Sequence, residues 1–187
     1  MSLSPWRKIA DEQLVDMGIF TLHRVRVRNP RTEADRDMAR VSTQDWVNVV
    51  AIDEAGELVL VRQYRHGTDS ITLEIPGGLI DAGESPRNAA LRELLEETGH
   101  SGGEVHELGF VLPNPAFIDN RCFSFLVLGC RRTHELALDD GEDIEVVTRP
   151  ASTIPQLVES GEIRHALVIC AFWFLTQHHP DQIARSR

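Results

Sequence analysis

The stretch GGLIDAGESPRNAALRELLEETGH, from Gly77 to His100, sets a glycine-rich loop directly before a helix and gathers Asp81, Glu84, Glu93, Glu96 and Glu97 in a short length of chain. Ser85 suits an N-cap, Pro86 the first helical position and Gly99 the left-handed residue after the last turn, so the helix runs from about Pro86 to Thr98. At about 100° per residue, Glu93 and Glu97 stack one above the other with Glu96 beside them, while Leu91, Leu94 and Leu95 fall on the opposite side. Arg92 stands one turn before Glu96 and can pair with it. Gly77, Gly78 and Gly83 permit turns sharp enough to bring Glu84 toward the cluster. A charged solvent face alone leaves the glycine loop unexplained, and like charges at Glu93 and Glu97 cost stability unless something neutralises them. Oxygen-rich sites of this kind suit Mg²⁺ or Mn²⁺, whose usual partner in enzymes is a phosphate.

The chain around this stretch has 187 residues, 42% of them hydrophobic, enough for one domain with a small N-terminal extension. A formal charge of −10 weighs against nucleic acid or anionic lipid as a partner, so an anionic substrate needs a metal or a local arginine cluster. Cys122, Cys130 and Cys170 lie in apolar surroundings, which indicates packed thiols in a reduced, cytoplasmic protein rather than a disulfide framework or a zinc site. The N-terminus carries no apolar segment like a secretory signal. The longest apolar run, ALVICAFWFL from Ala166 to Leu175, is too short for a membrane span and reads as a buried helix.

FTLHRVRV (Phe20 to Val27) alternates as a strand does, and a polar hairpin or loop follows through NPRTEADRD. Residues 1–41 are expected to form an N-terminal β arm. WVNVVAID, ELVLVRQYR and SITLEIP are strand-like before the acidic helix; EVHELGFVL, CFSFLVLGC and DIEVVTR are strand-like after it, broken by the loops PNPAFIDN and ELALDDGE. Helices from about Ser152 to Ser160 and from about Glu162 to His178 end the chain. Strands surrounding one central helix, with helices following late, argue for an α/β domain over 42–187 with a mixed sheet covered on both faces.

Some further residues are candidates for substrate contact. Arg62 and Arg65 flank Gln63 and Tyr64 at a strand end, where one can grip a diphosphate through its fork; the plain alternative is a solvated strand end. Trp6 and Trp46 can stack on a nucleobase, or pack in a core or dimer contact. Phe117 and Asn120 can shape a leaving-group pocket or anchor their loop. His178 and His179 are adjacent in a helix and so point about 100° apart, which fits a solvated helix end better than a metal pair.

Gly78, then Glu84, then Arg92-Glu93-Leu94-Leu95-Glu96-Glu97-Thr98-Gly99 match the spacing G-x5-E-x7-R-E-U-x-E-E-x-G-U, and by this the chain resembles the Nudix hydrolase superfamily. His100 departs from the bulky apolar residue usual at the last position, a change that bears on packing at the helix end. VRQYRHG, LEIPGGLID, LPNPAF and GEDIEV extend the resemblance to the branch of ADP-ribose pyrophosphatases and nucleoside-diphosphate-sugar hydrolases, over roughly Trp46 to His179. The resemblance implies an α/β/α sandwich and hydrolysis aided by Mg²⁺, or Mn²⁺, held by Glu93, Glu96, Glu97 and the Gly77 carbonyl and oriented by Arg92. It places Pro115 where a proline marks the ADP-ribose hydrolases, although Ala116 and Asn120 replace a usual glycine and a usual acid. It points to Glu142 in the late acidic loop as the base that activates water, and it implies a homodimer in which the N-terminal arm packs on the partner.

The expected reaction is cleavage of ADP-ribose, or a related nucleotide sugar, into a nucleoside monophosphate and a sugar phosphate. Two other readings stand beside it. A Nudix-fold sensor would bind the same ligand without cleavage, yet it would have no need to keep every box carboxylate. A pyrophosphatase of oxidised nucleoside triphosphates fits RQYR and the loop after the box less well.

Overall fold

The strand-like runs assemble into two separate sheets. A computed structural model describes residues 2–138, 141 and 143–184, and the chain divides into two compact units: Met1–Gln44 with Leu112–Arg121, and Asp45–Val111 with Cys122–Arg187.

The first unit is an antiparallel sheet in the order β1 (Arg7–Asp16), β2 (Phe20–Arg28), β3 (Asp35–Thr43). The polar run expected to be a loop thus contains the start of β3, and β1 lies where no strand was expected. Charge pairing across the strands takes the place of apolar burial there. Arg26 faces Asp37 and Arg28 faces Asp35 in register, with Nε–Oδ1 distances of 2.9 and 2.6 Å. The segment 112–121 joins β3 through Val41 N–H to the Phe117 carbonyl at 2.7 Å, and Arg40 reaches Asp119 at 3.1 Å.

The second unit contains β4 (Trp46–Asp53), β5 (Glu57–Arg65), β6 (Ser70–Glu74), α1 (Pro86–Thr98), β7 (His100–Ser101), β8 (Glu104–Val111), β9 (Cys122–Arg132), β10 (Ile144–Pro150), α2 (Ile154–Glu159) and α3 (Ala166–His178). Its sheet runs β10-β5-β4-β9-β7, with β6 beside β5 and β8 beside β9. β4 and β9 are parallel and the other pairs antiparallel, so the sheet is mixed. The two-residue period of the strands sorts their side chains between two cores. Val47, Val49, Ala51, Phe123, Phe125 and Val127 pack with Ala89, Ala90 and Leu94 of α1. Val50, Ile52, Leu58, Leu60 and Leu126 pack with Leu157 of α2 and Val168, Ala171, Phe172 and Leu175 of α3. This is the α/β arrangement the sequence predicts, a mixed sheet flanked by helices on both faces.

α3 starts at Ala166, where the apolar run begins, four residues later than the expected start at about Glu162. Gly161 is left-handed (φ 73°), Ile163 N–H turns back to the Leu157 carbonyl at 3.0 Å, and His165 stays extended (ψ 117°) as the N-cap. Among the described residues no helix is long and apolar enough to cross a membrane.

Candidate active site

Helix α1 is capped as its sequence dictates. The Ser85 hydroxyl accepts the Asn88 N–H at 3.2 Å, Pro86 opens the first turn, and Gly99 closes the last with φ 71° and its N–H on the Leu95 carbonyl at 2.8 Å. These caps fix the phase at which side chains leave the helix, and that phase buries Glu93 and Glu97 along with Ala89, Ala90 and Leu94. The acidic side is therefore not a solvent face.

Arg92 is the hub that makes this burial tolerable. Its Nε and Nη2 donate to the two Glu84 oxygens at 3.2 and 3.0 Å, and its Nη1 donates to Glu93 at 2.9 Å and Glu96 at 3.0 Å. Nη2 also donates to the Leu79 carbonyl at 2.9 Å, which ties the glycine loop to the helix. The hydrogen bond from Arg92 holds the Glu84 carboxyl below its ordinary range, and that same contact leads the causes that raise the guanidinium above its own. Glu97 accepts the Gly77 N–H at 2.9 Å.

The two adjacent glycines are required by close approach on opposite sides. A Cβ on Gly78 would lie 2.6 Å from Glu93 Cδ and 2.8 Å from its Oε2, while one on Gly77 would strike the Val47 carbonyl and lie 2.8 Å from Asn48 Cα. The loop is thus pressed between strand β4 and the helix carboxylates, which is why glycines and glutamates occur together in this stretch.

All-oxygen donors on α1 beside a loop carbonyl match the chemistry that holds Mg²⁺ or Mn²⁺. Among the described residues no set of three His, Cys, Asp or Glu side chains is gathered tightly enough to grip an ion as it stands. Glu93 and Glu96 instead converge on one Arg92 nitrogen, and Glu97 turns to the Gly77 amide.

Gly77 and Gly78 also form part of the wall of a cleft of about 530 Å³ in the second unit, together with Trp46, Arg65, Glu74, Arg164 and His165. Arg65 donates from Nε and Nη2 to the two oxygens of Glu74, 2.8 Å each, so its fork already grips a carboxylate. Burial opposes the charge on Glu74, but the hydrogen bonds from Arg65 and Thr72 and the Arg65 charge outweigh it and keep the carboxyl below its ordinary range. Asn48 donates to the Leu167 carbonyl at 3.2 Å and accepts from the Ser124 hydroxyl at 2.9 Å, tying α3 to the sheet under the cleft. His165 Nε2 lies 3.9 Å from Glu74, and its Nδ1 is buried with no hydrogen-bond partner among the described residues. Cys122 also lines the cleft, but burial pushes its thiol up to about 12, so it is no nucleophile at neutral pH.

Sequence reasoning missed Glu74, Asn48, Arg164 and His165. A polar residue inside an apolar strand, as in WVNVVAID and SITLEIP, was the available signal for the first two.

The other candidates are more scattered. Arg62 pairs with Glu145 across β5 and β10 at 3.0 Å and lies outside the cleft lining. In the first unit Trp6, Pro115 and Phe117 line a groove of about 670 Å³. Asn120 is buried there and donates to the Gln44 carbonyl at 3.1 Å. Glu142 lies outside the described residues.

The chain is similar to several known proteins. The chain is 30% identical over 170 residues to an ADP-ribose pyrophosphatase of Bacillus subtilis (strain 168), covering 90% of this chain and 91% of that one. It is 31% identical over 173 residues to an ADP-ribose pyrophosphatase of Mycobacterium tuberculosis (strain ATCC 25618 / H37Rv), covering 90% and 82%. A crystal structure of an ADP compounds hydrolase superposes with a TM-score of 0.86 at 25% identity, covering 97% of this chain and 98% of the other. The sequence profile described as NUDIX domain matches residues 43–172, a span that holds both the carboxylate helix and the cleft, and the chain belongs to the Nudix superfamily.

Proposed function

We propose that the protein is a pyrophosphohydrolase that cleaves the diphosphate bond of ADP-ribose, or of a related nucleoside diphosphate sugar, with Mg²⁺ or Mn²⁺ as cofactor. The observation that carries this reading is the shared loop: Gly77 and Gly78 touch the α1 glutamates on one side and line the cleft on the other. A volume of about 530 Å³ is within the range of small-ligand sites. The names of the relatives support the choice of substrate class.

Glu93, Glu96, Glu97 and the Gly77 carbonyl would hold the metal, which when bound supplies charge neutralisation on the diphosphate and acidifies water. Arg92 keeps Glu93 and Glu96 on a common nitrogen, so both point the same way before any ion arrives. Trp46 offers an aromatic face in the cleft wall for a base. Glu142 takes the proton of the attacking water. Hydrolysis assays on a panel of nucleotide sugars and oxidised nucleoside triphosphates, with and without Mg²⁺, test the proposal. AMP and ribose 5-phosphate are expected from ADP-ribose only with metal. Tight binding of intact ADP-ribose under the same conditions would replace the enzyme reading with a sensor.

We also propose a homodimer that buries the face of the first unit. Trp6, Ile9, Val15 and Met38 there are 46, 43, 43 and 50% exposed, an apolar surface that a second copy would cover. Light scattering at micromolar concentration is expected to give twice the chain mass, and removal of residues 1–41 to abolish it. A monomer, or a dimer indifferent to the deletion, rules this out.

A further inference from the structure

The cleft of the second unit contains two arginines in different states. Arg65 spends its fork on Glu74, which is only 2% exposed. Glu74 is also the one acidic side chain in the described lining, and Arg65 neutralises it. Arg164 makes no ion pair among the described residues. Its guanidinium rests over Gly161, where a Cβ would come within 2.8 Å of Nε and 3.0 Å of Nη2, so the left-handed glycine that delays α3 also makes room for the arginine. The cleft is thereby locally cationic in a chain of formal charge −10, a contrast that draws anions to it.

We infer that Arg164 is a guanidinium that grips a phosphate group of the substrate in this cleft. The inference rests on the nucleoside diphosphate reading above and names a binding residue for it. A fork with no ion-pair partner offers all its donors for two parallel charge-assisted bonds to a phosphate, whereas Arg65 has committed Nε and Nη2 to Glu74 and meets a phosphate with its remaining donors only. Arg65 serves the cleft by keeping Glu74 charged and in place. Arg164 is exposed, so its loss is expected to change recognition without unfolding the protein.

The test compares wild type, Arg164→Ala, Arg164→Lys and the control Arg149→Ala, which removes an exposed arginine outside the cleft lining. ADP-ribose and inorganic pyrophosphate, each in EDTA, are titrated by calorimetry at low and high salt, with Tm measured alongside. Arg164→Ala is expected to weaken both by about tenfold to a hundredfold and to flatten the salt dependence, with Tm and the control unchanged. Arg164→Lys keeps the charge but not the fork and is expected to fall between. Pyrophosphate separates the two ideas. If wild type binds pyrophosphate and Arg164→Ala does not, the anion grip stands even where ADP-ribose is neither bound nor cut and the nucleotide-sugar reading has failed. Wild-type affinity in Arg164→Ala, or no binding of either probe by wild type, overturns the inference.

Discussion

Arg92→Met is expected to destabilise the fold by about 3 kcal/mol at pH 7, the low end for removing one partner from a buried ionic network. Methionine keeps much of the stem and loses only the charge and the donors. The loss strips the cation from Glu84, Glu93 and Glu96 at once and leaves the Leu79 carbonyl without its donor. Three carboxylates would then face one another without compensation, a worse arrangement than exposed like charges because Glu93 is buried.

The pH dependence identifies the cause. In the wild type Arg92 depresses the Glu84 carboxyl below its ordinary value of 4.5, so the stability from that contact is present above 4.5 and is lost as pH falls through the depressed value. In the variant the crowded carboxylates favour protonation, so acid relieves repulsion. The gap between the two proteins in urea denaturation should therefore shrink from pH 7 to pH 4. Added Mg²⁺ should raise the Tm of the variant more than that of the wild type, because it replaces a missing positive charge. An equal deficit at both pH values with no differential effect of Mg²⁺ would mean that Arg92 acts through packing alone.

The carboxylate helix could be read in the sequence because its information is local. Ser85, Pro86 and Gly99 declare its ends, and one helical turn places Arg92 on Glu96. The first sheet was only partly legible for the opposite reason. β1 is exposed along its whole length and its register with β2 slips between Lys8 and Ala10 and again between Gln13 and Val15, so no clean apolar alternation marks it. β3 opens on Asp35, Arg36 and Asp37, residues that read as loop until their cross-strand arginines are known. The cleft was illegible where it depends on pairing across elements. Arg65 and Glu74 lie nine positions apart on two strands, and only the β5–β6 hairpin brings the fork onto the carboxylate. Arg164 and His165 were hidden because an apolar pattern does not show that Gly161 breaks the chain before α3 begins.

Glu142→Gln is expected to lower kcat by ~10²- to 10⁴-fold, the usual contribution of a positioned general base, while leaving the Mg²⁺ requirement nearly unchanged. The substitution preserves size and most hydrogen bonding and removes only the basic oxygen. The resemblance of GEDIEV to the late acidic loop of the ADP-ribose branch points to Glu142. A general base needs an oxygen ready to accept a proton, and hydrogen bonds from cations work against that readiness. Glu84 and Glu74 are both held below the ordinary carboxyl range, by Arg92 and by Arg65. Glu93 and Glu96 share Arg92, Glu97 accepts the Gly77 amide, and Glu145 pairs with Arg62. Glu97→Gln is the contrast, because a lost metal ligand should raise the Mg²⁺ concentration needed for half-maximal activity as well as slow the reaction. Steady-state kinetics across a Mg²⁺ titration separates the two patterns. Turnover by Glu142→Gln at close to the wild-type rate would reject Glu142 and direct the search to Glu145, whose exposed pairing with Arg62 contributes little and is readily exchanged for water, and then to Glu96.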